Sequence, residues 1–212
     1  GEICGDRIEP RSRTVDAEGP HFADGVVTYH PLTVQNLNDL KQAGVMGVML
    51  DHKFGGLNFP VSVYTMMTEM VSRADGSLQN IFGLQDIAET INFFGSDEQK
   101  EKYLPGFASG EYDGSMGICE ACPQLVVRRI ENKLGIHGVA TTELQYNDVP
   151  AVLCGKRRFG LIKYVMSLMN GARVAISGQA IGIAEAAYRE ARKYAAERMQ
   201  FKKSIDQFPA IY

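Results

Sequence analysis

The chain has 212 residues, 45% of them hydrophobic, enough for one large or two small domains around a real core, which excludes a disordered polypeptide. Its 22 basic and 25 acidic residues are mixed and leave a net charge of -3, so no broad positive field exists to draw in a nucleic-acid backbone, and no nucleic acid is expected as partner. No stretch reaches the roughly 18 uncharged apolar residues of a membrane helix, so no transmembrane segment is expected.

The opening residues, "GEICGDRIEPRSR", lack the apolar core of a signal peptide and read as a soluble, non-secreted protein. Apolar residues at Leu37, Leu40 and Ala43 predict a helix from Leu32 to Ala43, closed by Gly44. The glycines and proline of "GVMGVMLDHKFGGLNFP" predict a loop. Helical spacing returns at Val63, Met66, Met67, Met70 and Val71 and holds to Ala74, where "DGS" breaks it. A further helix is expected from about Ser77 to Phe93. Gly95 and Ser96 then supply a stop and an N-cap, launching a short helix through Lys102 that Pro105 ends. On this reading the first 110 residues are all helical.

After Gly110 the period shortens. "YDGSMGICE" and "TTELQYNDVPAVLC" carry the alternation of strands, yet the interval has room for about three strands of ordinary length, too few for an independent sheet domain. From Leu161 to Arg198 one apolar face recurs through Val165, Leu168, Val174, Ala180, Ile183, Ala187 and Tyr194. That predicts about 50 Å of helix, or two helices joined near Asn170-Gly171, as part of a bundle. Small residues, among them Ala175, Gly178 and Gly182, would let a neighbouring backbone approach closely.

Residues with chemical potential are few. Cys119 and Cys122 in "CEAC" have a spacing that suits zinc or a redox couple, but only His137 and Cys154 could complete a metal set, and no second pair exists. No metal site is expected. The four cysteines, without repeated spacing, point to reduced thiols and a cytoplasmic compartment. His137 sits in a glycine-flanked turn and reads as a hydrogen-bonded turn residue. No hydrolase elbow, phosphate loop or dinucleotide fingerprint occurs. The absence of Trp removes any function that needs an indole stack. Arg198, Gln200 and Phe201, two polar donors and a ring at a helix end, could grip a diphosphate and its base, or could be a solvated basic helix end.

Four segments taken together say more. "FGGLNFP", "FGSDEQKEKYLPGFASGEYDGSMGICE", "NKLGIHGVATTELQYNDV" and "MNGARVAISGQAIGIAEAAYREARKYAAERMQFKKSI" occur in this order, and each resembles the matching segment of the acyl-CoA dehydrogenase family. The resemblance covers nearly the whole chain from about Gly44. It implies a mainly α fold with a reduced β segment: an N-terminal helical domain (1–115), a truncated middle β-domain (116–155) and the start of a C-terminal helical bundle (156–212). It also implies FAD, an acyl-CoA substrate, electron-transferring flavoprotein or a similar acceptor, and a homotetramer, with a mitochondrial matrix location if the source is eukaryotic.

Residue by residue, the resemblance implies a partial site. The family's flavin-touching strand falls on Ile118, Cys119 and Glu120, with Met116 on the same strand; Cys119 stands for a hydroxyl and Ala121 for a proline. Arg198, Gln200 and Phe201 match the helix end that reaches the FAD of a neighbouring subunit, with Lys202 where glycine is usual. Met169, Asn170 and Arg173 match the helix bordering CoA and the acyl channel. The catalytic residue is not assigned. In most members the base is a Glu beyond the position of Tyr212, in a minority it stands where this chain has Ala172, and Glu185 and Glu190 read as helix-surface carboxylates. Most of the family's barrel is also missing, "ACPQLVVRRIEN" crossing that interval. Two accounts fit: part of a longer dehydrogenase, or a flavin-free homologue serving as a structural or interaction subunit.

Overall fold

A computed structural model describes residues 1–112 and 124–211 of the chain. The N-terminal segment is a π-helical turn, Ile3–Ile8, running into α1, Glu9–Glu18. Ile8 and Val15 are fully buried, and the polar flank is tied down by arginines. Arg11 donates to Asp39 Oδ2 at 2.7 Å and to Asn36 Oδ1 at 2.8 Å, and Arg7 donates to Asp39 Oδ1 at 3.2 Å. The bond from Arg11, backed by Arg7, holds the Asp39 carboxyl below its ordinary pKa.

A short antiparallel hairpin, β1 (His21–Ala23) with β2 (Val26–Thr28), follows. This corrects the all-helical reading. Its turn is Asp24-Gly25, both at positive φ, the pairing that two-residue hairpins favour because it matches strand twist. Next comes α2, Pro31–Gln42, where Pro31 opens the first turn and His30 Nδ1 accepts the Leu32 N–H at 3.2 Å. The glycine loop beyond it holds only a 3₁₀ turn, His52–Phe54.

The expected Ser77–Phe93 helix is two. Asp75 caps α4, Gly76–Phe82, by accepting from Ser77 and Leu78 N–H at 2.8 and 3.1 Å. A 3₁₀ turn, Gly83–Gln85, then separates α4 from α5, Asp86–Phe94. At this break the buried Gln85 side chain turns back to accept the Gly47 N–H at 2.7 Å. Before α4 stands α3, Val61–Ala74, as the spacing predicts. Ser96 and Gln99 form a reciprocal capping box at the start of α6, Asp97–Ser109. Pro105 does not end α6. Leu104 is fully buried and Phe107 nearly so, against Leu50, Phe54 and Ala88, and that burial outweighs one lost backbone bond.

The β segment is one antiparallel pair among the described residues, β3 (Leu125–Ile130) with β4 (Thr142–Tyr146), paired from Leu125↔Tyr146 to Ile130↔Thr142 with a register shift between Val127 and Arg129. The stretch read as a mere crossing is therefore partly strand, while no strand forms over 149–154. The loop between β3 and β4 docks on the helices. His137 N–H donates to Asp16 Oδ1 at 3.0 Å, Gly138 N–H donates to Ser77 Oγ at 3.1 Å, and Lys133 Nζ donates to the Ile136 carbonyl at 2.6 Å.

A π-helical stretch, Gly160–Val165, opens into α7, Met166–Glu197, continuous through Asn170-Gly171. Its 32 residues span about 48 Å. α7 packs chiefly on α3, and small residues set the approach: a Cβ on Gly182 would stand 2.4 Å from the Glu69 carbonyl oxygen, and one on Gly178 3.1 Å from that of Thr65. Buried Gln179 donates at 2.8 Å to both the Gly76 carbonyl and Asn80 Oδ1, fixing α7 over the start of α4. The main core lies beneath, around Ile8, Leu40, Tyr64, Val71, Leu78, Phe82 and Ala175.

Candidate functional site

Two places on α7 carry polar chemistry, one at each end. At its start a small cleft opens between α5 and α7, lined by Asp86, Glu89, Thr90 and Phe93 on one side and Ser167, Leu168 and Gly171 on the other. Asp86 is only 6% exposed, and its Oδ1 finds no hydrogen-bond partner among the described residues. Burial pushes its pKa up to about 6, against the opposing influence of the Tyr64 hydroxyl and with help from Glu89. Burial raises Glu89 as well. Tyr64 moves well above its usual range, through its own desolvation and then the neighbouring Asp86 charge. At about 6, the Asp86 carboxyl can hold or release a proton near neutral pH.

Met169, Asn170 and Arg173 continue the same turns of α7. Met169 is half-buried, whereas Asn170 and Arg173 are exposed, and Arg173 Nη1 donates to Asn170 Oδ1 at 2.8 Å. The three predicted substrate residues thus form one group beside the cleft. Asp86 and Glu89 are the residues that sequence reasoning missed. The available signal was a pair of acids three apart, hence on one helix face, inside the largely apolar "DIAETINFF".

At the other end, Arg198 caps α7 with extended backbone, and the chain folds into a hairpin, β5 (Met199–Gln200) with β6 (Lys203–Ser204). Phe201 and Lys202 make its two-residue turn at φ 48° and 68°. At position 202, where the resemblance implies glycine, the left-handed backbone strains any residue with a Cβ. The hairpin is anchored by the Ile205 N–H donating to the Arg198 carbonyl at 2.9 Å and by Phe201 meeting Phe208 edge-on at 6.1 Å. Arg198, Gln200 and Phe201 are all exposed, Phe201 at 86%. The Arg198 side chain has no hydrogen bond or ion pair among the described residues. A free guanidinium, an amide and an open ring on one hairpin fit the donors and the surface that a dinucleotide diphosphate requires.

The two groups stand roughly 37 Å apart along one helix, so this chain does not bring them together. Met116, Ile118 and Cys119, the other predicted cofactor residues, lie outside the described residues, as do Glu120 and the "CEAC" cysteines. His137 is a bonded turn residue, with Nε2 2.9 Å from the Lys133 carbonyl and its N–H on Asp16. Cys154 is half-buried, its thiol pKa raised by burial, and no metal-binding group of three His, Cys, Asp or Glu side chains occurs among the described residues. Glu185 accepts from Arg189 Nε at 2.6 Å on the helix surface, and Glu190 is exposed.

Comparison with known proteins gives these positions a context. The acyl-CoA dehydrogenase N-terminal domain matches residues 2–111, and the acyl-CoA dehydrogenase C-terminal domain matches residues 162–212. The short-chain specific acyl-CoA dehydrogenase of Clostridium acetobutylicum is 28% identical over 244 residues, covering 84% of this chain and 64% of that protein. The enzyme of the same description from Megasphaera elsdenii is 37% identical over 245 residues, covering 82% and 64%. Both alignments are longer than the 212-residue chain, so these relatives carry residues inside the aligned span that it lacks. The chain spans less than two thirds of their length. In three dimensions, butyryl-CoA dehydrogenase from Megasphaera elsdenii superposes with a TM-score of 0.85 at 20% identity, over 99% of this chain and 70% of that one. A chain from work on the electron transferring flavoprotein of Acidaminococcus fermentans and flavin-based electron bifurcation gives 0.85 at 24%, with the same coverage.

Proposed function

The chain belongs to the acyl-CoA dehydrogenase family, and from that premise we propose that it takes part in the α,β-dehydrogenation of an acyl-CoA thioester to the 2,3-enoyl-CoA, with FAD as immediate acceptor. When bound, FAD supplies the hydride acceptor that the protein's own side chains lack. Arg198 and Gln200 would hold its diphosphate and Phe201 would cover a ring, with Met116, Ile118 and Cys119 as further contacts. Met169, Asn170 and Arg173 would border the thioester end of the substrate, Arg173 steadied by its bond to Asn170. Loss of a weakly acidic α-proton needs a carboxylate in a site shielded from water. Asp86, with a pKa pushed up to about 6, lines the cleft opposite Leu168 together with Glu89, whose pKa burial also raises, and Ala172 offers no carboxylate.

The observation that carries this reading is the placement of Arg198, Gln200 and Phe201. The Arg198 and Gln200 side chains have no hydrogen bond or ion pair among the described residues, Phe201 is 86% exposed, and all three lie far from the substrate group, as expected of a cofactor held across two subunits. A homo-oligomer, of the tetrameric kind, follows as part of the proposal, as does electron-transferring flavoprotein or a similar protein as the onward acceptor. The three-part division at 115 and 155 and a cytoplasmic setting belong to the same reading.

The test is flavin retention. Incubated with FAD and passed through a gel-filtration column, the protein should elute with flavin absorbance, and Arg198→Ala should lose at least tenfold of it through one broken charge-assisted contact of about 1.5–3 kcal/mol. Colourless wild-type protein, or equal flavin in both, would overturn the assignment.

A further inference from the structure

Between Asp148 and Glu185 the sequence contains no acidic residue, while Lys156, Arg157, Arg158, Lys163 and Arg173 all fall within it, in a chain whose net charge is -3. Three of these cations are consecutive and leave one tight turn. The Phe159 N–H points back to the Lys156 carbonyl at 3.4 Å, which closes the turn and puts its four Cα atoms within about 7 Å. Arg158 takes a left-handed φ of 73° there, an unusual conformation for a residue with a Cβ. Lys156, Arg157, Arg158 and Phe159 are all exposed, and none of the three cations has an ion pair among the described residues.

The turn is held rather than loose. The Lys156 N–H donates to the Tyr164 hydroxyl at 2.8 Å, and the Tyr164 ring lies 4.5 Å from that of Phe94 on α5. Gly155 sits directly against Tyr164, where a Cβ would come within 2.6 Å of the ring, and its φ of 78° turns the chain outward. From Gly160 to Arg173 the helical path then runs roughly 20 Å. An unpaired cationic turn fixed in place, an exposed aromatic side chain beside it and a helical path to Asn170 and Arg173 with no acidic residue of its own follow one another along the chain.

Resting on the function proposed above, we propose that this turn binds the nucleotide end of the CoA thioester. Lys156, Arg157 and Arg158 meet the phosphates of the 3′-phosphorylated ADP, and Phe159 offers its face to the adenine ring. Guanidinium groups meet phosphate oxygens in pairs, and an exposed ring beside them is the surface on which a base stacks. Buried Asp86 and half-buried Glu89 line the cleft with Leu168, a position suited to the uncharged end of the ligand rather than its phosphates.

Titration calorimetry with butyryl-CoA, butyryl-pantetheine and 3′,5′-ADP tests this, using wild type and the triple variant Lys156→Gln/Arg157→Gln/Arg158→Gln. Wild type should prefer butyryl-CoA over butyryl-pantetheine by tenfold or more, and the triple variant should narrow that preference to within about twofold while binding butyryl-pantetheine unchanged. The pair Arg157→Lys/Arg158→Lys keeps the charge and should retain part of the preference, which separates contact from misfolding. Butyryl-CoA binding that is indifferent to the triple variant sinks this inference and leaves the dehydrogenase reading standing. No binding of either thioester sinks both. Leu161 and Ile162 beside the turn are also exposed, so phosphatidylglycerol vesicles form a further arm. Vesicle binding lost in the triple variant, without any preference for butyryl-CoA, would reassign the turn to a lipid surface.

Discussion

Asp86 carries a carboxyl whose ionisation the fold resists. Its pKa rises from 3.8 to about 6 because burial penalises the charge. The folded state therefore holds a proton that the unfolded chain has already released, and the stability this contributes is present below pH 3.8 and lost as pH climbs through about 6. Asp86→Asn keeps the shape and removes the charge. It should match wild type near pH 4 and exceed it by about 1–3 kcal/mol near pH 8, read as thermal midpoints in the two buffers. A difference that does not change with pH would mean the carboxyl is already solvated in the native state. Residues whose role is local were legible in the sequence: Ser96 as a cap and His137 as a turn residue could be read from their neighbours alone. Asp86 could not, because its surroundings, Tyr64 on α3 and the α7 side of the cleft, lie far from it in the chain. The Asp24-Gly25 turn was legible in principle, being the strongest short hairpin pattern, and its three-residue strands fell below the periodicity that strand reading relies on.

Among the elements, α3 and α7 show how closely two backbones approach where glycine permits it. A methyl at Gly182 would sit 2.4 Å from the Glu69 oxygen and 2.9 Å from the Arg73 nitrogen, so one helix must move. Overpacking of that kind costs about 1–3 kcal/mol, which exceeds the roughly 1 kcal/mol that alanine gains over glycine within a helix. Gly171, on the same helix, has no atom within 4 Å of its prospective Cβ. Gly182→Ala should lower the thermal midpoint and Gly171→Ala should raise it; midpoints moving together would contradict the described packing. The extents of α2 and α3 followed from apolar spacing to within a residue or two, since each buries one stripe. Where that reasoning failed, at Pro105 and at the 3₁₀ turn after Phe82, tertiary contacts decided: Leu104 and Phe107 carried α6 onward, and Gln85 reached across to Gly47.

For the molecule as a whole, α7 leaves Val174, Ile181 and Tyr188 exposed seven residues apart on one side, with Ile176 and Ile183 nearby. A helix with apolar residues on both sides is one meant for burial on both. If the proposed homo-oligomer covers this face, light scattering should give a mass that is a multiple of 23.3 kDa. Ile181→Glu/Tyr188→Glu should return it to a single chain; a monomeric wild type would remove that part of the proposal. The family architecture was legible because four segments kept their order, whereas the pairing of β3 with β4 was not, since strand partners are set across a loop rather than within a window. That same loop has a kinetic consequence. His137 bonds Asp16 across 121 positions, more than the 103 between Gln179 and Gly76, and Gly138 bonds Ser77 across 61, so the loop has nothing to close upon until α1 and α4 are already in place. Closures over such distances carry a large entropic cost, so the loop between β3 and β4, like the docking of α7 on α4, is expected to be latched only after α1 and α4 have formed.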